Sequence, residues 1–341
     1  MDKIHSDHET TAGGRSIEPL PEMIGSIQPA GGFCMRIELL WGYLRRFLLR
    51  IFRRGYLRRM AAARLGERNP APHAMLDSRD AKFYRNQPGC YYWSADDDRF
   101  AWRGRLPFIR EGLAEIIIFT TLFLAVGIGL WFLFWPLIVV PALLELEVVS
   151  FFRNPARTIP SQPGLIVSPA DGTIDLIEEI DHDPLLDGPA VRIQIFLSVF
   201  NVHINRSPLS GQVVSIHYKH GKCVSATRLE SAEVNAQLEL VLEETAAPHR
   251  LIRMRQITGM VARRIVCWSS PGQLLERGEQ FGMIKLGSRT ELVLPLEDGL
   301  QLQVAKGDKV QAGSTVMARY PDSNATSSDQ PPVPAGEAEV D

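Results

Sequence analysis

Val304-Ala305-Lys306-Gly307-Asp308-Lys309-Val310-Gln311-Ala312-Gly313 sets two short β-type runs on either side of a Lys-Gly-Asp turn. Glycine gives such a turn the backbone freedom it needs, so the stretch predicts a tight hairpin. The same grammar repeats outward from it. LIVSPADGTIDLI (165–177), VRIQIFLSV (191–199), GQVVSIHY (211–218), ELVLPL (291–296) and LQLQVAKGDKV (300–310) alternate β-type runs with Gly and Pro turns. This predicts a compact, mainly β domain over residues 151–320. A more helical stretch is expected between, around Glu230–Glu244. Ser168-Pro169-Ala170-Asp171-Gly172-Thr173-Ile174 reads as a turn opening a strand, and forms a weak pseudo-repeat with the Lys-Gly-Asp stretch.

Of the 341 residues, 45% are hydrophobic and 22% charged, enough for a folded core and against global disorder. Lys and Arg number 37 against 39 Asp and Glu, so no basic excess points to a nucleic-acid partner. Cys34, Cys90, Cys223 and Cys267 are too scattered for a disulfide scaffold and form no C-x-x-C pair, so no structural metal is expected.

Charge and apolarity are segregated along the chain. Residues 1–30 are polar and lack the pattern of a cleaved secretory signal. Residues 36–68 carry ten arginines and two glutamates. Leu40, Leu44, Phe47, Leu48 and Ile51 recur there at helical spacing, with Arg45, Arg46, Arg50, Arg53 and Arg54 between them. Such a basic amphipathic helix suits either an anionic lipid surface or a solvated face on the protein's own body. Residues 69–110 are irregular and aromatic-rich, fitting lipid-headgroup level or a packed loop region equally. From Ile116 to Leu144 run 29 residues without a charge, more than the roughly 20 that span a hydrocarbon core as a helix. Pro136 and Pro141 interrupt the second half, which fits one crossing with a kinked end or a re-entrant hairpin. The expected division is a basic N-terminal extension (1–110), a membrane-embedded segment (111–150), a catalytic domain (151–320) and a disordered acidic tail (321–341).

Three sites hold residues of chemical interest. A hydrophobic strand delivers His203 into a polar turn. A lone strand histidine is commonly structural, yet its pKa makes it the default acid–base group. The strand-like MIKL feeds Gly287-Ser288, and TELVLPL resumes at once. A glycine carbonyl is open to attack by the next hydroxyl, and Asp171 with His203 could supply the base a serine nucleophile needs.

The Lys-Gly-Asp and Ser-Pro-Ala-Asp-Gly stretches resemble turns of lipoyl- and biotinyl-type barrel-sandwich hybrid domains, without a lysine at the carrier position. FFRNPARTIP, VSPADGTI, FLSVFNVHINRSPLSG, ITGMVARRIV, GEQFGMIKLGSRTEL and KGDKVQAG, in this order, resemble the phosphatidylserine decarboxylase proenzymes, in particular their shorter bacterial and archaeal branch. The resemblance covers roughly residues 105–320 and leaves residues 1–100 outside.

The resemblance implies a self-processing enzyme. Asp171 would orient His203, and His203 would deprotonate Ser288. The Ser288 hydroxyl would then attack the Gly287 carbonyl. Elimination from the resulting ester and hydrolysis would leave a pyruvoyl group at Ser288 and release ammonia. The products are a β chain of residues 1–287 and an α chain of 54 residues. The pyruvoyl group, a covalent cofactor, would act as electron sink in converting phosphatidylserine to phosphatidylethanolamine and carbon dioxide during phospholipid biosynthesis. No metal is implied.

Two positions depart from the longer branch of the family. Arg289 stands where that branch has Thr, as in the shorter branch. Phe200 stands where it has a second histidine, which leaves His203, His217 and His220 as proton donors in decarboxylation. The shorter branch also contains archaetidylserine enzymes. Rival expectations are a membrane-anchored, non-catalytic barrel-sandwich adaptor and a pyruvoyl decarboxylase of a soluble amino acid. Expected partners are the membrane's phosphatidylserine, an anionic lipid surface and the chain's own two fragments; a homo-oligomer is left open. Because basic residues crowd ahead of Ile116, a single crossing would put the catalytic domain outside. The family's substrate is made on the cytoplasmic face, so a re-entrant segment at the cell membrane, with a cytoplasmic catalytic domain, is the favoured expectation.

Overall fold

The computed structural model describes residues 10–221, 234–259, 264–285 and 288–321. The regular elements up to Phe151 are helices, joined by irregular stretches, and strands follow, so the whole is mixed, while the β character expected of residues 151–320 holds for that part. The basic stretch forms α1 (Phe33–Phe52) and α2 (Arg54–Ala62), broken at Arg53, whose φ of −132° and ψ of 39° leave the helical region. The apolar face of α1 points outward, with Leu40 70% and Phe47 59% exposed. Two of its arginines turn inward instead of toward lipid. Arg46 is buried against Asp80 at 2.9 Å, and Arg45 meets Asp77 at 3.1 Å. Both aspartates belong to the capping box of the short helix α3 (Ser78–Ala81). Arg50, Arg53, Arg54, Arg58 and Arg59 stay exposed. In the aromatic-rich region Phe83, Tyr84 and Trp93 are buried in a core shared with Phe151, Phe152, Val202, Ile204 and Met283, while Tyr92 and Trp102 are exposed.

The uncharged segment is a helical hairpin. One run, Arg110–Phe151 (42 residues), is long and apolar enough to cross a membrane. Within it α4 (Leu113–Phe134) ends where Phe134 becomes extended, a 3-10 turn holds Pro136, and α5 (Val139–Phe151) folds back. Thr120 on α4 donates to Glu145 on α5 at 2.5 Å. The two ends are tied together: Ile109 N–H donates to Phe152 O at 2.9 Å and Asn154 N–H to Pro107 O at 2.8 Å.

The β part contains β1 (Leu165–Val167), β2 (Gly172–Asp183), β3 (Gly188–Leu197), β4 (Ile204–Arg206), β5 (Gly211–Lys219), β6 (Gln237–Glu244) and β7 (Leu251–Thr258). It continues through β8 (Arg264–Cys267), β9 (Leu274–Leu275), β10 (Gln280–Lys285), β11 (Ser288–Pro295), β12 (Gln301–Leu302), β13 (Lys309–Val310) and β14 (Val316–Arg319). An eight-stranded antiparallel sheet runs β13-β2-β3-β11-β7-β6-β5-β9, beside three-stranded sheets β1-β14-β12 and β4-β10-β8.

Two expectations are corrected. The Lys-Gly-Asp stretch is a turn but not a hairpin, because β12 pairs with β14 and β13 pairs with β2. The turn instead docks on the other half of the pseudo-repeat, with Gly307 N–H donating to Ile174 O and Ile174 N–H to Asp308 O. The described part of the stretch expected to be helical, Gln237–Glu244, is a strand between β5 and β7. Its Leu and Glu content favours helix, but Leu238, Leu240 and Leu242 alternate into the core, and that burial overrides intrinsic propensity. Glu230, Cys223, Gly287 and the tail from Asp322 lie outside the described residues.

Leu292 on β11 is fully buried in the main core. Leu292→Ala should cost about 2–5 kcal/mol, read as a lower thermal midpoint in detergent, while Leu302→Ala at the partly exposed β12 should change it little.

Candidate functional site

His203 lies just ahead of β4, fully buried, with its ring against Phe151 at 4.3 Å between centroids. Its Nδ1 sits 2.9 Å from the Asn201 carbonyl. A carbonyl can only accept, so Nδ1 carries the proton and Nε2 presents a free lone pair. Nε2 has no hydrogen-bond partner among the described residues. Burial pulls the imidazole down to about 4, against the raising effect of the Asn201 bond and helped by the nearby Arg153 charge. At neutral pH it is therefore an uncharged base.

Ser288 opens β11 and is hydrogen-bonded into the sheet on both sides, opposite Leu197 of β3 and Thr258 of β7. The preceding β10 pairs with β4 and β8, so the chain changes sheets between Lys285 and Ser288. The Ser288 hydroxyl is buried and, like His203 Nε2, has no partner among the described residues. The His203 and Ser288 segments are neighbours through β10, where Ile284 N–H donates to His203 O at 3.1 Å. A buried polar atom left without a partner costs free energy, and here a candidate base and a candidate nucleophile in adjoining segments both lack one among the described residues.

Asp171 and His203 are not hydrogen-bonded to each other. The carboxylate of Asp171 accepts from Arg157 Nη2 at 2.7 and 3.0 Å and from Ala312 N–H at 2.8 Å. Its turn is nonetheless fixed to the histidine strand. Pro169 O accepts from Arg206 N–H at 3.0 Å and from the Asn205 amide at 3.3 Å. The same buried amide donates to Thr290 Oγ1 at 3.0 Å, and Asn205 Oδ1 accepts from Gln256 at 2.8 Å. Asn205 thus joins the turn of Asp171, the strand of His203 and the strand of Ser288.

Sequence reasoning gave no role to Asn205, Gln256 or Thr290; the available signal was Asn205 two residues past His203, on the same face of a strand. Arg157 lies inside a motif used for the resemblance but was likewise given no role. Arg289, singled out only as a departure from the longer branch, is buried, pairs with Asp175 at 2.5 Å and donates to Gln194 at 2.6 Å. Gln194 donates in turn to Glu291, which Arg255 also holds at 2.7 Å. His217 and His220 are exposed, and His217 meets Glu18 at 3.0 Å. Among the described residues no three His, Cys, Asp or Glu side chains gather as a metal site.

A model of the phosphatidylserine decarboxylase family matches residues 144–318. A phosphatidylserine decarboxylase proenzyme of Rhodopirellula baltica is 51% identical over 239 residues, covering 70% of this chain and 98% of its own length. Those of Carboxydothermus hydrogenoformans (45% identical; 52% and 81% covered) and Symbiobacterium thermophilum (42%; 64% and 98%) are also similar.

The folded pKa of His203, about 4, lies below its ordinary value of 6.5. Between these values the unfolded chain binds more protons than the native one. The stability is therefore complete above pH 6.5 and is lost as pH falls toward 4, by up to about 3 kcal/mol. His203→Gln should remove this part of the acid sensitivity, seen as a smaller drop in thermal midpoint between pH 7.5 and 4.5. An unchanged drop would show that the histidine does not stay neutral in the fold.

Proposed function

The chain belongs to the phosphatidylserine decarboxylase family, and from that membership we propose that it forms its pyruvoyl group at Ser288. It is a proenzyme that converts phosphatidylserine to phosphatidylethanolamine and carbon dioxide, with a pyruvoyl group derived from one of its own serines. That group supplies a carbonyl electron sink for the carboxylate's electrons, which ordinary side chains lack. The residues at Ser288 fit it: the hydroxyl is buried and free of partners, and β11 is held on both edges from its first residue.

In the proposed processing, His203 Nε2 takes the proton of the Ser288 hydroxyl. The Asn201 carbonyl keeps the imidazole in the required tautomer. The Ser288 oxygen attacks the Gly287 carbonyl and displaces the Ser288 nitrogen, giving an ester and a free amine. Elimination takes the Ser288 Cα proton and breaks the Cβ–O bond, which frees the Gly287 carboxylate and leaves a Cα=Cβ double bond; tautomerisation to the imine and attack of water then release ammonia and leave the keto carbonyl. Asp171 acts as a positioning residue through its turn, which is tied to β4. The observation that carries this assignment is the pair of buried, unpartnered groups, His203 Nε2 and Ser288 Oγ. In turnover His203 moves the proton; the exposure of His217 and His220 weighs against them.

We further assign residues 151–320 to the barrel-sandwich hybrid class, supported by the mutual docking of the Ser168–Ile174 and Lys306–Gly313 turns. Residues 1–110 are the extension, 111–150 the membrane-embedded segment and 321–341 the tail. Because the ends of the α4–α5 hairpin are hydrogen-bonded to each other, they lie on one side of the bilayer, here taken as the cytoplasmic face of the cell membrane. The exposed apolar face and arginines of α1 and α2 add contact with anionic lipid.

Intact-mass spectrometry tests the processing. The wild type should give two chains, with a pyruvoyl-started fragment of 54 residues. Ser288→Ala and His203→Ala should remain one chain, and Asp171→Asn should accumulate precursor. Two normal chains from Ser288→Ala would remove the assignment.

The surface contact is tested by replacing Arg50, Arg53, Arg54, Arg58 and Arg59 with Gln. At about 1 kcal/mol for each arginine near the surface, the variant should bind anionic vesicles more weakly and with less salt dependence, while processing normally. Equal binding of both proteins to anionic vesicles at low salt would leave these arginines merely solvated.

A further inference from the structure

We propose that the cavity between α1 and the α4–α5 hairpin seats the lipid head group, with Arg264 holding its phosphodiester; this rests on the function proposed above. The cavity measures about 470 Å³, within the range of small-molecule sites. Its walls are largely apolar, among them Phe33 of α1 and Phe151 and Phe152 at the end of α5. Phe151 is the ring that packs on His203, and the lining Lys285 lies three residues before Ser288. The cavity is therefore one side chain away from His203, and its wall includes the end of β10, the strand that precedes Ser288. It adjoins the exposed apolar faces of α1 and the hairpin, along which acyl chains can lie.

The charges on the wall are unequally committed. Lys285 is paired with Glu115 and also reaches the Glu111 carbonyl at 3.4 Å. The side chain of Arg264, half-buried, has no ion pair or hydrogen bond among the described residues, while its backbone lies opposite Lys285 in the β8–β10 ladder. Glu147 keeps one buried carboxylate oxygen without a partner. A serine head group carries phosphate, ammonium and carboxylate; the cavity offers one unspent guanidinium for the phosphate and one unspent carboxylate that the ammonium can face. A guanidinium binds phosphate oxygens by charge-assisted hydrogen bonds, strengthened where water is scarce.

Helix α1 has a part in placing that cation. Arg264 lies directly on Gly32, the residue before α1, and a side chain at Gly32 would come within 1.7 Å of its guanidinium nitrogen. Gly32 also has φ of +156°, in the region that favours glycine. Gly32 and Phe33 fall outside the residues matched by the family model, so this chain's extension completes the site.

The test is equilibrium binding of dihexanoyl-phosphatidylserine to the uncleaved full-length Ser288→Ala protein. Adding Arg264→Gln should weaken binding roughly tenfold or more, and Arg264→Lys less. Gly32→Val, which displaces the guanidinium from the other side, should weaken it as well. Unchanged affinity in either Arg264→Gln or Gly32→Val overturns the proposal, each variant being scored against a thermal midpoint that matches the Ser288→Ala parent. In the processed enzyme Arg264→Gln should raise KM with kcat nearly unchanged. Failure of the function would look different: no carbon dioxide from the wild type, with lipid binding still lost in the variants.

Discussion

Strand β11 is hydrogen-bonded on both edges from its first residue, and the rest of the molecule is arranged around that fact. Ser288 cannot drift, because β3 and β7 hold its backbone on either side. The two residues before it lead back to β10, which belongs to another sheet. A break at this junction severs neither sheet. The fragment starting at Ser288 keeps β11 in the centre of the large sheet, β13 against β2 and β14 against β1. The proposed cleavage is thereby separated from unfolding, as an enzyme that makes its reactive group from its own backbone requires.

The polar groups around this strand divide into spent and unspent. Arg289, Gln194, Glu291 and Arg255 satisfy one another behind Ser288, and Asn205 and Gln256 link three segments in front of it. Each bond matters there, since half-satisfied buried polar groups are costly. His203 Nε2, Ser288 Oγ and Gln256 Oε1 all lack a partner among the described residues, and of these the histidine and the serine are the pair that can act as base and nucleophile. The ring of His203 is itself set by Phe151, the last residue of the apolar hairpin, so that hairpin and the histidine share one packing contact. Lys285 and Glu115 make a second link between the same two parts.

The sequence alone determined the features that depend on local pattern. The uncharged run from Ile116 to Leu144, the β alternation after residue 151 and the strand–Gly-Ser–strand order at Ser288 are all legible along the chain. They are set by burial and by backbone sterics over a few residues. The motifs around Asp171, His203 and Ser288 also sufficed to identify the family. Tertiary structure decided what lies between distant segments. It turned the Lys-Gly-Asp hairpin into a turn docked on Ile174, made a strand of Gln237–Glu244, and paired Asp171 with Arg157 and Ala312 rather than with His203. It also turned Arg45 and Arg46 inward and left the side chain of Arg264 without a partner among the described residues. None of these could be read along the chain, because a hydrogen bond or ion pair goes to whichever group the fold brings within about 3 Å, and sequence spacing does not record that distance.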